Sequence, residues 1–353
     1  MKILVIQQKM IGDVLASTII CEALQKEYPD ATIDFLVNSN TKPVITESPF
    51  FDHIIEFKDE YQNNKKALYA FLKQIRKAKY DHVIDAYGKL ESNLITLFSG
   101  ASQRISFYKW YSQFLYTKTI KRNSESITNA STAIENRLRL VFPENRVISE
   151  ISKPKIFLTK EEKEKAREFI ESNGITTKTP LIMISVLGSE AKKTLPFEYM
   201  AKVIDTIVAS TGANILFNYI PNQEKDARTI YDLTNYKTQK NIHFDVFAKS
   251  LRGFLAILSL CDTLIGNEGG AVNMAKALEI PTFTIFSPWI NKKDWNMFED
   301  GETQISVHLA DYLPGLFLHK KTKELKSQSL ELYTHFKPEL FTDQLYKFLS
   351  KNL

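Results

Sequence analysis

The stretch MKILVIQQKMIGDVLASTIICEALQKEYPDATIDFLV, residues 1–37, predicts a strand, a helix and a second strand. Lys2–Ile6 is a short apolar run rich in branched side chains, and apolar residues then recur at helical spacing over Val14–Tyr28. Pro29 ends this helix because proline disfavours helical geometry in the residue before it. The apolar run at residues 31–38 predicts the second strand. A helix between two neighbouring strands is typical of a parallel pair.

The same alternation continues along the chain in two sets, separated near Pro154. The predicted strands are KILVI, ATIDFLVN, HIIEF, DHVIDA and RISFY in the first set, and TPLIMISVLG, GANILFNYI, NIHFDVF, DTLIGN and PTFTIFS in the second. The segment 141–170 mixes prolines, charges and a new helix start at Thr159, as domain linkers do. The pattern predicts two α/β domains, each a parallel sheet with helices on both faces.

Length and composition agree with two domains and exclude several protein classes. The chain has 353 residues, of which 44% are hydrophobic, enough for two cores. Its net charge of +5 is weak for a nucleic-acid-binding protein and suits an anionic substrate. Cys21 and Cys261 lie in apolar segments and suit a reducing cytoplasm. Neither a signal peptide nor an apolar run of about 20 residues for a membrane span is predicted.

The loop after the first strand lacks the glycine patterns of dinucleotide and nucleotide folds. Gly12 is the only glycine in QQKMIGDVL, so G-x-G-x-x-G is absent there, and the chain contains no G-x-x-x-x-G-K-[ST]. Asp13 follows Gly12. In the simplest interpretation Asp13 is a cap or a first-turn acid of the helix. The alternative is a role in the ligand crevice that parallel sheets form at the carboxyl ends of their strands.

Two loops of the second domain favour an anionic ligand. GNEGGAV joins a strand to a helix, whose free N–H groups bind anions. Gly269 and Gly270 would let the backbone approach a ligand, and Glu268 could accept a hydrogen bond from a sugar hydroxyl. SVLGSEAKKTLP has the same position after another strand and contains Gly188, Ser189, Lys192 and Lys193. The alternative is tight turns and solvated lysines, but two such loops together favour a diphosphate.

Four segments in order resemble glycosyltransferase family 9, the ADP-heptose:lipopolysaccharide heptosyltransferases. They are the opening strand and helix with IGDVL, the segment YDHVIDAYGKLESNLITLFSGASQRISFY, the loop GSEAKKTLP and the segment GNEGGAVNMAKALEIPTFTIFSP. The resemblance covers the chain almost end to end. It implies the GT-B fold, with two Rossmann-like α/β domains facing each other across a cleft. It also implies an N-terminal acceptor-binding domain over residues 1–155 and a nucleotide-sugar donor-binding domain over 156–325.

The resemblance further implies that a last helix within 326–353 packs back on the N-terminal domain. The side chains expected to make that contact are Tyr333, Phe336, Leu340 and Phe341.

Carried over residue by residue, the resemblance assigns roles unevenly. Asp13 matches the family's proposed catalytic base, Lys193 its loop lysine near the donor phosphates, and Gly270 its glycine. Glu268 stands where the family has aspartate. Further departures are Leu195 for tryptophan, Gly269 for threonine, Ala271 for proline and Asn273 for histidine. Heptose or a related sugar is what the resemblance implies, but these departures surround the donor pocket and fit a distant branch of the family that uses another nucleotide sugar.

The implied reaction is an inverting, metal-independent transfer from a nucleotide-diphosphate sugar, ADP-heptose in the family, to a lipopolysaccharide-type or other cell-envelope glycan. Asp13 would accept the proton of the attacking hydroxyl. The donor-binding residues would be Gly188, Ser189, Lys192, Lys193, Glu268, Gly269, Gly270 and Asn273, and those on the acceptor side Gly12, Lys89, Lys109 and Arg122. No cofactor and no metal are predicted, because the six histidines are scattered and form no H-x-x-x-H pair.

Two basic segments raise the question of partners. Residues 108–123, YKWYSQFLYTKTIKRN, interleave aromatic and cationic side chains, which suits a membrane interface or an anionic glycolipid; the alternative is an ordinary amphipathic surface. A cytoplasmic enzyme at the inner face of the membrane, without a nucleic-acid partner, is the expectation. The run HKKTKELK, residues 319–326, predicts a solvated helix face.

Two other functions stay open on sequence grounds. A nucleotide-sugar binding module without turnover would agree with the altered donor positions Glu268 and Asn273. An epimerase-like enzyme of the same fold would need additional acids and histidines around the sugar, for which the scattered histidines give little support.

Overall fold

The computed structural model describes residues 1–142, 151–176 and 178–353. The chain divides into two compact units, Met1–Phe157 and Leu158–Leu353. The predicted boundary between 155 and 156 therefore lies two residues before this division. Within the predicted linker, residues 143–150 lie outside the described residues.

The first unit is built on a six-stranded parallel sheet in the order β3-β2-β1-β4-β5-β6. Its strands are β1 (Lys2–Ile6), β2 (Thr32–Asn38), β3 (His53–Phe57), β4 (His82–Asp85), β5 (Gln103–Phe107) and β6 (Lys118–Ile120). Its helices are α1 (Ile11–Glu27), α2 (Glu60–Asn63), α3 (Lys65–Lys77), α4 (Leu90–Ser99) and α5 (Thr132–Leu138). Val5 of the central strand β1 pairs with Phe35 on one side and Ile84 on the other.

Burial explains why the opening strand is continuously apolar. Helices cover both faces of such a sheet, so residues on both faces are buried, and Ile3, Leu4, Val5 and Ile6 are fully buried.

The second unit has a five-stranded parallel sheet in the order β11-β10-β9-β7-β8. Its strands are β7 (Leu181–Ser185), β8 (Asn214–Asn218), β9 (Thr263–Asn267), β10 (Thr282–Ile285) and β11 (Gln304–Val307). Its helices are α6 (Lys160–Ser172), α7 (Phe197–Thr211), α8 (Glu224–Leu233), α9 (Tyr236–Gln239), α10 (Leu251–Leu258), α11 (Gly270–Ala277), α12 (Lys292–Trp295), α13 (Leu309–Tyr312), α14 (Thr322–Ser327), α15 (Ser329–His335) and α16 (Thr342–Asn352). Two α/β units with parallel sheets are the predicted fold class, which is confirmed.

Three edge segments differ from the prediction. β6 and β11 were not predicted, because short strands with polar residues carry little apolar signal. The predicted strand NIHFDVF forms only an isolated bridge, between Ile242 and Ile215 of β8. Its backbone turns where the Val246 N–H donates to the His243 carbonyl at 3.1 Å, so the extended run ends soon after the bridge.

The C-terminal segment belongs to the core of the second unit, which corrects the expectation that it packs on the N-terminal domain. Tyr333, Phe336 and Phe341 are buried in the second unit's core, and Leu340 packs against it. The ring centroids of Phe341 and Phe348 lie 6.1 and 5.6 Å from that of Phe283 on β10. The aromatic face of the tail therefore covers this unit's own sheet.

Across the described ranges, no helix combines the length and the hydropathy that a membrane crossing requires.

Candidate active site

In each unit the strand order reverses beside a central pair of strands, and ligand crevices of parallel sheets open at such points. In the first unit, β2 and β3 lie on one side of β1 and β4 to β6 on the other. In the second unit, β8 lies on one side of β7 and β9 to β11 on the other. The loops after β1, β4, β7 and β9 carry most of the predicted site residues.

Asp13 lies beside Gly12 in the first turn of α1 and pairs with Arg137 on α5. The Arg137 Nη2 group donates to Asp13 Oδ1 at 2.5 Å, and the two side chains are 9% and 24% exposed. Arg137 is itself held, because its other guanidinium groups donate to Ser17 Oγ at 2.9 Å and to the Ala133 carbonyl at 2.8 Å. Asp13 is thus a partly exposed carboxylate with one oxygen bound to a fixed cation.

The start of α1 bears on the first interpretation of Asp13, as a cap or a first-turn acid. Met10 occupies the N-cap position, and in this part of the described chain no side chain caps the helix. The capping interpretation of Asp13 is therefore wrong, while its position as a first-turn acid is confirmed. Met10 itself has a φ of +65°, a strained conformation for a non-glycine residue that is often found at functional sites.

A buried aspartate anchors the neighbouring loop after β4. Asp85 is fully buried. Its Oδ1 accepts the backbone N–H groups of Tyr87 and Gly88 at 3.0 and 2.7 Å, and its Oδ2 accepts the Tyr116 hydroxyl at 2.7 Å. Burial raises the pKa of Asp85, and these hydrogen bonds oppose that shift. Asp85 therefore fixes the loop that leads into α4.

The predicted acceptor-side cations lie around this loop. Lys109 Nζ donates to the Gly88 carbonyl at 2.5 Å, and its pKa is lowered first by burial and then by the charges of Lys89 and Arg122. The Arg122 guanidinium lies 4.0 Å from the centroid of the Phe107 ring. Its pKa is lowered by burial of that group and by Arg137, while Asp13 raises it.

These interactions place Arg122 within the electrostatic reach of the Asp13–Arg137 pair. Lys89 is exposed, and its backbone N–H donates to Ser92 Oγ at 2.9 Å at the start of α4. Arg122 thus contributes positive charge near Asp13, while Lys89 and Lys109 lie at the loop after β4.

In the second unit, the loop after β7 has a tightly specified backbone. A Cβ atom on Gly188 would lie 2.2 Å from the Lys193 carbonyl oxygen, so a larger residue does not fit there without a shift. The Lys192 carbonyl accepts three hydrogen bonds, from Ser287 Oγ at 2.6 Å, Ser329 Oγ at 2.8 Å and Trp289 Nε1 at 3.1 Å. These contacts hold the backbone that carries the lysines.

Buried Asn267 connects this loop to the end of β9. Its Oδ1 accepts the Leu195 N–H at 2.8 Å, and its Nδ2 donates to the Ser185 and Val186 carbonyls at 3.0 Å each. The loops after β7 and β9 are consequently fixed relative to one another.

Lys193 and Glu268 meet at this junction. Lys193 Nζ lies 3.7 Å from Glu268 Oε1, and the side chains are 25% and 11% exposed. Burial raises the pKa of Glu268, and the charge of Lys193 opposes the rise. Lys193 is thus a partly accessible cation with a desolvated carboxyl partner.

The glycines that follow lead into α11. Gly269 has a φ of +153°, which side-chain-bearing residues rarely adopt, and a Cβ atom on Gly269 or Gly270 would meet no atom within 4 Å. The space beside the helix start is therefore open. Asn273 is half-buried on the same helix.

A cavity of about 430 Å³ lies on another side of the loop after β7, lined by Leu187, Gly188, Ser189, Glu190, Ala191, Thr194, Leu195, Pro196, Phe197, Gln223, Asp226, Leu330 and Tyr333. Of the predicted site residues, only Gly188 and Ser189 line it. Lys193 and Glu268 are not among its lining residues.

Sequence reasoning missed several residues of these sites. Asp85 could have been found, because an aspartate that ends an apolar strand at a crevice is a recognisable signal. Arg137 and Trp289 carry no such signal, since each reaches its partner through tertiary structure.

Comparison with known proteins agrees with the family that the sequence resembles. The sequence model described as "Glycosyltransferase family 9 (heptosyltransferase)" matches residues 68–312. Lipopolysaccharide heptosyltransferase 1 of Campylobacter coli is 24% identical over 308 residues, which cover 81% of this chain and 84% of that protein.

Two solved structures share the fold. The family 9 glycosyl transferase of Veillonella parvula superposes with a TM-score of 0.76 at 17% identity, covering 94% of this chain and 97% of that one. The E. coli ADP-heptose LPS heptosyltransferase II superposes with a TM-score of 0.70 at 16% identity, covering 95% and 99%.

Proposed function

The chain belongs to glycosyltransferase family 9, the heptosyltransferase family, and we propose that it transfers a heptose or related sugar from an ADP-linked donor to a lipopolysaccharide-type acceptor. The names of the Campylobacter and E. coli relatives supply the donor and acceptor classes. The observation that carries the proposal is the pair of crevice sites, with a held carboxylate in one unit and a lysine beside open glycines in the other. Membership of this family favours an enzyme over a binding module.

The second unit would bind the donor. Lys193 supplies positive charge at the end of the loop after β7, and Gly269 and Gly270 leave the start of α11 open to a phosphate. Glu268, held beside Lys193, is placed to accept hydrogen bonds from sugar or ribose hydroxyls. As the bond from the anomeric carbon to the diphosphate breaks, the leaving oxygen gains charge, which these groups stabilise.

The first unit would bind the acceptor and activate it. The acceptor hydroxyl oxygen attacks the anomeric carbon in line with the departing diphosphate, and its proton passes to Asp13. Arg137 occupies Asp13 Oδ1, so Oδ2 is the oxygen we assign to the proton. Displacement from the opposite face inverts the configuration at that carbon. Lys89, Lys109 and Arg122 suit an anionic acceptor.

We further propose that this transfer requires no metal ion and no cofactor, because Lys193 and the helix start provide the charge that a cation would otherwise supply to a diphosphate. Assays in excess EDTA should retain the full rate, and a loss of activity restored by Mg²⁺ would contradict this part of the proposal.

A test of donor class follows from linkage. A ligand that binds only the folded protein raises its stability as ln(1 + [L]/Kd). We expect ADP to raise the melting temperature of the full chain more than UDP or GDP at equal concentration, because the proposed donor carries adenine. A larger shift with another nucleoside diphosphate would reject ADP as the leaving group.

The segment 108–123 supports a peripheral position at the cytoplasmic face of the membrane. Trp110 and Phe114 are each 77% exposed, and the exposed cations Lys118 and Lys121 follow them in the sequence. Exposed aromatic side chains among cations suit an anionic lipid surface. The positive charges of these side chains attract negatively charged lipid headgroups.

We expect the double substitution Trp110→Ala and Phe114→Ala to weaken binding to phosphatidylglycerol vesicles by at least about tenfold, since burial of one large apolar side chain contributes about 1.5–3 kcal/mol. Flotation of protein with vesicles measures it. Tyr236→Ala, which removes a 73% exposed aromatic from the second unit, is the matched control. Equal flotation of all three proteins would contradict the membrane proposal.

A further inference from the structure

The run 319–326 was predicted to be a solvated helix face, but one of its lysines makes contacts with the rest of the second unit. Lys326, in the last turn of α14, has its ammonium group 4.5 Å from the centroid of the Trp289 ring. The Lys193 ammonium lies 5.5 Å from the same centroid. The two nitrogens can therefore be at most 10.0 Å apart, the sum of these distances.

Both lysines also have a carboxylate partner. Lys326 Nζ lies 3.5 Å from Glu190 Oε1, with side chains 44% and 45% exposed, as Lys193 lies beside Glu268. Two Lys–Glu pairs thus flank a single indole at the end of the loop after β7.

The C-terminal segment is attached to this loop by further contacts. Ser329, three residues after Lys326, donates to the Lys192 carbonyl at 2.8 Å, and Trp289 donates to the same oxygen at 3.1 Å. These bonds fix the position of Lys326 relative to Lys193, although the two residues are far apart in sequence.

We propose that Lys326 is a further cationic residue of the donor site and that it makes the site selective for nucleoside diphosphates over monophosphates. The proposal rests on the proposed function for the class of ligand. Two ammonium groups lie near one aromatic ring, each beside a single carboxylate named above, and a ligand with several negative charges would contact both of them. A diphosphate has the charge and length to do so, whereas a monophosphate is served by Lys193 alone.

A purely structural role is the alternative. An exposed ion pair such as Lys326–Glu190 contributes little to stability, so its loss should not disturb the loop. If Lys326 nevertheless acts by holding the loop, its removal would weaken the binding of every ligand of that loop to the same degree.

The test compares ligands of different charge on the full chain. Isothermal titration would measure the Kd of ADP, AMP and inorganic pyrophosphate for the parent, Lys326→Ala, Lys326→Arg and Lys323→Ala. Lys323 is an exposed residue of the same helix and serves as the control. We expect Lys326→Ala to weaken ADP and pyrophosphate about tenfold, an effect that shrinks with added salt, and to change AMP less than threefold. Lys326→Arg should restore most of the affinity, and Lys323→Ala should resemble the parent.

Each outcome either supports or overturns the role proposed for Lys326. Unchanged ADP and pyrophosphate affinities in Lys326→Ala, or an equal loss for ADP and AMP, would overturn the proposal while leaving the donor class intact. Binding of pyrophosphate through Lys326 without binding of ADP would keep Lys326 and reject ADP as the leaving group. If the parent protein binds neither ADP nor pyrophosphate, both the role of Lys326 and ADP as the leaving group are rejected.

Discussion

Asp13→Asn should lower the turnover number by roughly 10²–10⁴, the range that general-base catalysis supplies. Asparagine keeps the size of the side chain and can still accept a hydrogen bond from Arg137, but it has no basic oxygen. Donor binding should survive, because the proposed donor residues belong to the other unit. The loss should therefore appear in kcat rather than in the KM of the donor.

Arg137→Gln is the matched control for this variant. It breaks the same ion pair from the other side, removing the cation 2.5 Å from Asp13 while leaving the carboxylate in place. If Asp13 matters as the base, Arg137→Gln should retain far more turnover than Asp13→Asn, when both variants are assayed below their melting temperatures. Near-parental kcat in Asp13→Asn, or equal losses in the two variants, would remove Asp13 as the base.

Lys193→Ala should lower kcat/KM by about 10²-fold, because removing one preorganised group that stabilises developing negative charge typically costs roughly 10²–10³ in rate. Part of the loss should be weaker ADP binding. The substitution should also affect Glu268, whose pKa is already raised by burial and is held down by Lys193. Without Lys193 the pKa of Glu268 rises further, so the acid limb of the kcat/KM profile should move to higher pH.

Lys202→Ala is the control for Lys193, since Lys202 is a 59% exposed residue of α7 that pairs with Glu339 on the surface. It should leave the kinetics and the melting temperature close to those of the parent. Unchanged kinetics in Lys193→Ala with the correct donor would exclude Lys193 from the mechanism.

The sequence predicted the central strands and the edge strands β3 and β8, but missed the edge strands β6 and β11. β1, β4, β7 and β9 are buried on both faces, so their apolar runs are unmistakable. The strands β6 and β11 escaped prediction because they are short and partly polar. NIHFDVF was overestimated because its apolar residues do not indicate that the backbone turns soon after Ile242.

Long-range pairing explains what the sequence could not reveal about the sites. The acid Asp13 and the lysine Lys193 stand next to strand ends and were recognisable from motifs. Arg137 lies more than 100 residues from Asp13, and the bond between them is recorded only in the tertiary structure. The same holds for Lys326. Its helix is mostly exposed, and no pattern in the neighbouring sequence indicates its contact with Trp289.

The C-terminal aromatic residues show a different limit. The sequence predicted that Tyr333, Phe336, Leu340 and Phe341 are packed, and they are, but amphipathicity specifies that a face is buried without specifying its partner. The partner is the second unit's own core.

The most direct test of the account is the anomeric configuration of the transferred sugar. We would incubate the parent enzyme with ADP-heptose and a lipopolysaccharide-type acceptor in EDTA and determine the new glycosidic linkage by NMR spectroscopy. We predict that the transferred sugar has the anomeric configuration opposite to that in the donor, because Asp13 assists a single in-line displacement. Retention of the donor's configuration would contradict that mechanism, and release of free sugar without a linkage to the acceptor would contradict the proposed transfer.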